Sequence, residues 1–256
     1  MAHGDVHEAI VNVTREIEAH PDNPQFYLRR GELHRVHQDW TEALADFDKA
    51  RELDATLIIA ELLRGEMLAD AGRLADAAAA LDRFLKQCPD SAPGFTARAR
   101  VHAREKRWTA AADDFDRAIE FARIPNPELF IERAQALRAA GHHDEAIATL
   151  DAGLAKLGAL ITLTQMAIDC EVEAGRLDAA LARLAKVVDA APRKERWLFR
   201  RGELLEKAGH PEAAREAYTA AQAALAKLPP ERRATAAMEK LAQDLASALT
   251  RLAPAK

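Results

Sequence analysis

The apolar and polar positions along this chain follow the spacing of helices. Near the end of the chain, Met238, Leu241 and Leu245 return at intervals of three and four residues, which places them on one face of a helix. The sequence has no long stretch in which apolar and polar residues alternate and β-branched side chains are frequent, which is the usual signal of a strand. Abundant alanine, leucine, glutamate and arginine favour helix further. The pattern predicts an all-α fold.

The helical pattern repeats with a period of 34 or 35 residues. The first column of the repeat holds a small residue in five units and an isoleucine in one: Gly31, Gly65, Ala99, Ala134, Ile168 and Gly202. An alanine follows twelve residues later in every unit: Ala43, Ala77, Ala111, Ala146, Ala180 and Ala214. A large apolar residue follows four residues after that: Phe47, Leu81, Phe115, Leu150, Leu184 and Tyr218. We expect the small residues to let two helices approach closely, and neighbouring hairpins to stack, because no hairpin buries its apolar face alone.

Turn signals divide the repeat into helices. A glycine stands midway in four units, at Gly72, Gly141, Gly175 and Gly209, where a left-handed residue can end the first helix. We therefore predict one solenoid over residues 1–256. Its predicted parts are a half-repeat helix over 3–20, six repeats over 24–228 and a C-terminal capping helix over 231–252.

The 34-residue length and the order of small residue, alanine, aromatic and small residue resemble the tetratricopeptide-repeat family. The resemblance implies a right-handed α-solenoid of about six helix-turn-helix repeats, with capping helices at both ends and a concave groove lined by the first helix of each repeat. It also implies a non-catalytic protein-protein interaction scaffold, not an enzyme, that binds a peptide or partner protein in that groove. The alternative is the soluble part of an exported, periplasmic envelope or secretion assembly factor.

The family's groove residues stand at fixed offsets from the small position. The resemblance therefore implies that the residues at these offsets in this chain bind the peptide. They are Arg29, Glu32, Arg35, Glu66, Arg100, Arg104, Gln135, Arg138, Asp169 and Glu203. Two guanidiniums on adjacent turns can hold a carboxylate in a charge-assisted fork. We therefore expect a partner with an acidic element to dock near Arg100, Arg104 and Arg138. The equally weighted alternative is that these side chains are solvated groove charges.

A second set of arginines directly precedes the small position, at Arg30, Arg64, Arg98, Arg133 and Arg201. Four aspartates stand 18 residues after the first four of them, at Asp48, Asp82, Asp116 and Asp151. The matched columns predict Arg–Asp bridges between the two helices of each hairpin rather than an anion site.

Charge and hydropathy argue against nucleic-acid binding and against a membrane span. The net charge is −5, with a pI of about 6.0, whereas nucleic-acid-binding proteins usually carry a basic excess. We therefore predict no nucleic-acid partner. The sequence has no run of 18 apolar residues, so we predict no membrane span.

Metal and catalytic chemistry find little support in the sequence. Cys88 and Cys170 lie in different repeats without a CxxC partner, which disfavours a zinc site. His3 and His7 are four residues apart and could share a helical face, but no third ligand follows in the sequence. None of the common nucleophile, phosphate-loop, dinucleotide or zinc-protease motifs occurs. We predict no catalytic residue, metal or cofactor.

The compartment depends on what the gene encodes before Met1. For the chain as printed we expect a cytoplasmic protein; if a signal peptide once preceded it and was removed, we expect a periplasmic one. The repeat pattern leaves open the identity of the partner and the oligomeric state.

Overall fold

The computed structural model describes the backbone of residues 3–253 and the side chains of residues 5–253. Within this range the chain forms fifteen α-helices and no strand, which confirms the all-α class. The helices are α1 (His3–Ala19), α2 (Pro24–His37), α3 (Trp40–Leu53), α4 (Ile59–Asp70), α5 (Leu74–Gln87), α6 (Ala92–Arg104), α7 (Trp108–Phe121), α8 (Pro127–Ala139), α9 (His143–Leu157), α10 (Ile161–Glu173), α11 (Leu177–Ala190), α12 (Glu195–Lys207), α13 (Pro211–Ala226), α14 (Pro230–Arg233) and α15 (Ala236–Arg251).

The helices belong to two compact units. The first unit ends at His142 and the second begins at His143. In the first unit, α1 packs on α2, the pairs α2–α3, α4–α5 and α6–α7 form hairpins, and α8 packs on α7. In the second unit, α9 packs on α10, the pairs α10–α11 and α12–α13 form hairpins, and α15 packs on α13. The prediction of one solenoid over residues 1–256 remains a prediction.

The small column of the repeat forms the tight helix contacts that the sequence predicts. A Cβ atom added to Gly31 would lie 2.7 Å from Cε1 of Phe47, and one added to Gly65 would lie 2.6 Å from Cγ of Leu81. Gly202 faces the ring of Tyr218 in the same way. The two helices of a hairpin therefore touch where one side has no side chain and the other has a large one.

The first helix of each repeat ends in one residue with left-handed backbone geometry. The four turn glycines that the sequence indicates have φ angles between 74° and 81°, as predicted: Gly72, Gly141, Gly175 and Gly209. In the remaining two hairpins this place is held by Gln38, at φ 68°, and Lys106, at φ 60°. A side chain in this conformation is strained because Cβ approaches the following carbonyl oxygen.

Replacing Gln38 or Lys106 with glycine is expected to raise the free energy of unfolding by about 0.5 kcal/mol each. Relief of the left-handed strain, about 1–2 kcal/mol, outweighs the extra freedom that glycine gives the unfolded chain, about 0.5–1 kcal/mol. Urea denaturation of the whole chain measures the change. The matched control is Gly72→Ala, which should destabilise because nothing lies within 4 Å of the new Cβ and only the backbone strain changes. Stabilisation by Gly72→Ala would contradict the explanation.

Buried arginine–aspartate pairs join the two helices in two hairpins of the first unit. Arg30 donates from Nε and Nη2 to the two carboxylate oxygens of Asp46, at 2.8 and 2.7 Å. Arg98 makes the same two bonds to Asp114, at the same distances. Asp46 and Asp114 are buried, at 4% and 6% exposure, so each carboxylate depends on its arginine for compensation.

The aspartates that the sequence indicated pair differently from the prediction. Asp48 contacts Arg64 at 3.3 Å, Asp82 contacts Arg98 at 2.7 Å, and Asp116 contacts Arg133 at 3.1 Å. Each therefore reaches the arginine of the following repeat instead of the arginine 18 residues before it. The reason is helical geometry: residues two positions apart differ by about 200° around the axis. On α3, Asp46 therefore faces α2, while Asp48 faces α4.

The second unit holds a related arrangement with the charges exchanged between helices. Arg183 on α11 donates to the buried Glu171 on α10, at 2.7 and 3.0 Å, and to Asp151 on α9, at 2.7 Å. These bonds, to Glu171 above all, raise the pKa of the Arg183 guanidinium above its ordinary value. One cation thus joins three consecutive helices.

The C-terminal segment forms two helices where the sequence predicted one over 231–252. α14 is a single turn, and α15 begins after Thr235, whose hydroxyl donates to the carbonyl of Arg232 at 3.0 Å. The stripe of Met238, Leu241 and Leu245 is buried against α13.

Candidate functional site

A cleft of about 660 Å³ opens in the first unit. We call it the first-unit cleft. Its charged lining residues are Arg35, Glu66, Asp70, Arg100 and Arg104, and its apolar lining includes Pro93, Val101, Ile124 and Leu129. Three first helices, α2, α4 and α6, provide the charged residues, because residues at equivalent offsets of consecutive repeats lie side by side.

Four of the ten predicted binding residues meet in this cleft: Arg35, Glu66, Arg100 and Arg104. Most of their charges are already paired across neighbouring first helices. Nη1 of Arg35 lies 2.9 Å from Glu66 and 3.3 Å from Asp70. Nη2 of Arg100 lies 2.9 Å from Oε1 of Glu132 on α8. A ligand must therefore compete with internal carboxylates for these cations.

Arg104 has a different kind of partner. Its guanidinium donates to the carbonyl oxygen of Ala69 in the last turn of α4. Helix C-termini carry partial negative charge and unpaired carbonyl groups, so this contact is favourable, yet it leaves the full positive charge of Arg104 without a carboxylate. Arg104 and Arg100, one helical turn apart, form the basic end of the cleft.

The opposite end of the cleft is acidic. Burial raises the pKa of Glu66; Arg35 opposes this effect, and the nearby carboxylates of Asp70 and Glu32 add to it. Glu66 and Asp70 thus place two carboxylates at this end of the cleft, and both of them contact the single guanidinium of Arg35. An incoming carboxylate is therefore repelled near Glu66 and attracted near Arg100 and Arg104.

Ile124 is a cleft residue that the sequence interpretation missed. It lies between α7 and α8 and is 82% exposed, which is unusual for a large aliphatic side chain. Its sequence signal is an isoleucine inside a loop, directly before Pro125. It gives the cleft an apolar contact next to the paired charges.

Two other predicted residues, Asp169 and Glu203, line a second cleft of about 700 Å³ in the second unit, which we call the second-unit cleft. Arg200 joins them, at 3.0 Å from Asp169 and 3.3 Å from Glu203. Its wall includes Trp197 and Phe199 from α12 and Leu241 from α15. The C-terminal helix thus forms one side of this cleft.

The remaining four predicted residues line neither cleft. Arg29 contacts Glu16 of α1 at 3.2 Å. Glu32 and Gln135 are exposed on α2 and α8, and Arg138 is half-buried in the last turn of α8. The expected cluster of Arg100, Arg104 and Arg138 is therefore represented in the first-unit cleft by Arg100 and Arg104.

Metal and membrane features were searched over the part of the chain that the structure describes. No group of three histidine, cysteine or acidic side chains in it could hold a metal ion. The pair of His3 and His7 falls outside that search, because the side chain of His3 is outside the described residues. Among the described helices, none has the length and apolar character that crossing a bilayer requires.

The repeat geometry agrees with a family comparison. The model of the tetratricopeptide repeat matches residues 1–57, 62–127 and 167–229, which is most of the chain. The chain therefore belongs to the tetratricopeptide-repeat family, and the predicted solenoid class is confirmed. Proteins of this family generally act as scaffolds for protein-protein interactions rather than as catalysts.

Solved structures show the same fold at low sequence identity. A tetratricopeptide repeat protein from Parabacteroides merdae is 17% identical, with a TM-score of 0.55, over 95% of this chain and 93% of that one. PilW, described as a type IV pilus biogenesis factor, is 17% identical, with a TM-score of 0.59, over 73% and 86%. MamA is 20% identical, with a TM-score of 0.57, over 66% and 92%. No protein with a curated description matches the chain.

Proposed function

We propose that this protein is a non-catalytic scaffold that binds an acidic peptide segment of a partner protein in the first-unit cleft. The observation that supports the proposal is the basic end of that cleft, where Arg100 and Arg104 lie beside the exposed Ile124. Such a surface offers a carboxylate two cations and offers an apolar side chain a contact, which together can fix the direction of a bound peptide.

Exchange of ion-pair partners makes binding feasible at low cost. The bond between Arg100 and Glu132 is largely exposed on the arginine side, at 56%, and exposed ion pairs contribute only about 0–1 kcal/mol. A peptide carboxylate that bridges Arg100 and Arg104 replaces this weak pair with contacts to two cations. Burial of Ile124 by an apolar peptide residue adds about 1.5–3 kcal/mol at full burial.

The double variant Arg100→Ala/Arg104→Ala is expected to weaken binding of the partner peptide more than about tenfold, because two charge-assisted contacts are lost. A pull-down with the purified chain identifies the partner, and titration of the segment that it contributes measures the affinity.

The matched control is Arg73→Ala/Arg107→Ala in the same unit. Both arginines are exposed and make ion pairs, Arg73 with Asp76 and Arg107 with Glu105, but neither lines the cleft. This variant removes the same charge and should keep its affinity. An equal loss of affinity in both variants would show that only the net charge matters. Unchanged affinity of Arg100→Ala/Arg104→Ala would exclude this site.

A second candidate is an assembly factor of the cell envelope. It is supported by the fold likeness to the pilus biogenesis factor PilW, and fold alone hosts many functions. Fractionation of the cells that produce the protein tests it: recovery with the cytoplasmic fraction alone would exclude this candidate, and recovery with the envelope or periplasm would favour it.

A further inference from the structure

A separate basic cavity lies in the second unit, at the start of α12 and beside α14 and α15. It has a volume of about 560 Å³, and we call it the Trp197 pocket. Its lining includes Arg193, Glu195, Arg196, Trp197, Arg232 and Met238. It adjoins the second-unit cleft, with which it shares Arg196, Trp197 and Ala237.

One arginine of the pocket serves the fold. Arg193 donates to the carboxylate of Glu195, at 2.7 Å from its Nε, and Glu195 is only 3% exposed. This pair neutralises the one acidic residue of the lining. Because Arg193 is paired with Glu195 within the protein, an anion in the pocket must be bound by the other arginines of the lining.

The guanidiniums of Arg196 and Arg232 make no hydrogen bond or ion pair with any residue that the structure describes. This distinguishes them from Arg35, Arg100 and Arg200 in the clefts, each of which contacts a carboxylate. The surrounding sequence is basic as well: residues 193–197 and 230–238 contain five basic and two acidic residues, in a chain whose net charge is −5. The local charge is thus opposite to that of the chain.

The other wall of the pocket is apolar. Trp197 presents a half-buried indole, and Met238 is 5% exposed. Aromatic rings stack or meet edge to face with one another, and the sulfur of Met238 accepts a hydrogen bond from Arg193 at 3.5 Å, which holds this side chain in the wall. An aromatic side chain is therefore the apolar group that this wall suits best.

We propose that the Trp197 pocket binds an acidic peptide segment that carries an aromatic residue, with carboxylates at Arg196 and Arg232 and the aromatic side chain against Trp197 and Met238. Charge complementarity carries the choice of an acidic ligand. A polynucleotide is disfavoured because its affinity depends on many phosphate contacts along a continuous basic surface, whereas here two unpaired guanidiniums flank a cavity with room for a few side chains. The pocket lies in the other unit from the first-unit cleft, so this inference goes beyond the proposed function.

The test uses a fluorescein-labelled peptide of alternating aspartate and glutamate with one central phenylalanine, and anisotropy as the readout. The variant Arg196→Glu/Arg232→Glu should weaken its binding at least about tenfold, since two charge-assisted contacts become repulsive. The control Arg215→Glu/Lys227→Glu makes the same charge change at exposed residues of the same unit whose side chains have no described partner, and it should bind as the unaltered chain does. Helical circular dichroism verifies that both variants fold.

Two further measurements locate the ligand. The peptide should change the tryptophan emission of the unaltered chain, and Trp197→Phe should remove that change although Trp40 and Trp108 remain. Arg100→Ala/Arg104→Ala should leave this emission change intact, which separates the pocket from the first-unit cleft. The proposal is overturned by equal loss in the control variant, by an emission change that survives Trp197→Phe, or by an oligonucleotide that binds more tightly than the peptide and depends on Arg196.

Discussion

Replacing Arg98 with methionine is expected to lower the free energy of unfolding by about 3–5 kcal/mol. Arg98 makes two hydrogen bonds to the buried Asp114 and a third to Asp82, all between 2.7 and 2.8 Å. Its removal leaves the carboxylate of Asp114, 6% exposed, without its main compensation, and removal of one partner of a buried ion pair typically has this cost. Equilibrium urea denaturation of the full chain measures the loss.

The same column of the neighbouring repeat provides the control. Arg64 contacts Asp48 at 3.3 Å, and Asp48 is 41% exposed, while the residue that corresponds to Asp114 is Ala80. The only buried acidic neighbour of Arg64 among the described residues, Glu61, lies 4.0 Å away and has two closer arginine partners. Arg64→Met should therefore cost about 1 kcal/mol or less. The double variant Arg98→Met/Asp114→Ala should regain part of the loss, because no buried charge remains. Equal losses at Arg98 and Arg64 would contradict the role of Asp114.

Replacing Gly202 with isoleucine is expected to lower the free energy of unfolding by about 2–3 kcal/mol. The site has no room for even one added carbon, because the ring of Tyr218 occupies the position of the new side chain. Overpacking of this kind forces side chains out of their rotamers and shifts the backbone. Thermal and urea denaturation both report the change.

The preceding hairpin accommodates an isoleucine in the small column, opposite a smaller side chain than Tyr218. There the same two columns hold Ile168 and Leu184, which are 2% and 0% exposed. We therefore expect Tyr218→Leu to rescue Gly202→Ile, with a favourable coupling of about 1–2 kcal/mol in a double-mutant cycle. Independent, additive effects of the two changes would show that the ring of Tyr218 is not what excludes the side chain.

The period of small and large residues predicted the hairpins well because it records direct contacts. Gly31 faces Phe47 and Gly65 faces Leu81 in the structure, and each pair is 16 residues apart in the sequence. The turns were predictable where glycine marks them, as at Gly72. They were invisible at Gln38 and Lys106, which adopt the same left-handed backbone although residues with a side chain disfavour it.

The sequence correctly predicted arginine–aspartate pairs between helices, but it assigned the wrong aspartate to each arginine. The sequence offers two aspartates in two of the repeats, Asp46 with Asp48 and Asp114 with Asp116, and column spacing alone does not tell which one faces the arginine of the same hairpin. The break before α15 was missed for a similar reason: neither glycine nor proline marks it, and Thr235, which precedes the new helix, lies in a sequence that would also continue a helix.

The sequence predicted which helix positions contribute to the candidate site, but it did not predict the shape of the cavity or which of its charges are already paired. Offsets from the small residue placed Arg35, Glu66, Arg100 and Arg104 on adjacent first helices, and they do share one cleft. Which charges remain available depends on contacts between residues about 31 or 32 positions apart, such as Arg100 with Glu132. Ile124, in a connecting loop, has no column in the repeat.

The two ion pairs of Arg183, which join three helices, affect how the second unit can open locally. One guanidinium neutralises Glu171 on α10 and Asp151 on α9 while it is anchored on α11. If α10 or α11 detaches, the buried Glu171 and Arg183 separate, and if α9 detaches, Arg183 loses Asp151, so separation of α10 from α11 carries the larger cost. In native-state hydrogen exchange the amide protons of the three helices should accordingly behave as one cooperative foldon, even though nearest-neighbour repeats could in principle open one at a time.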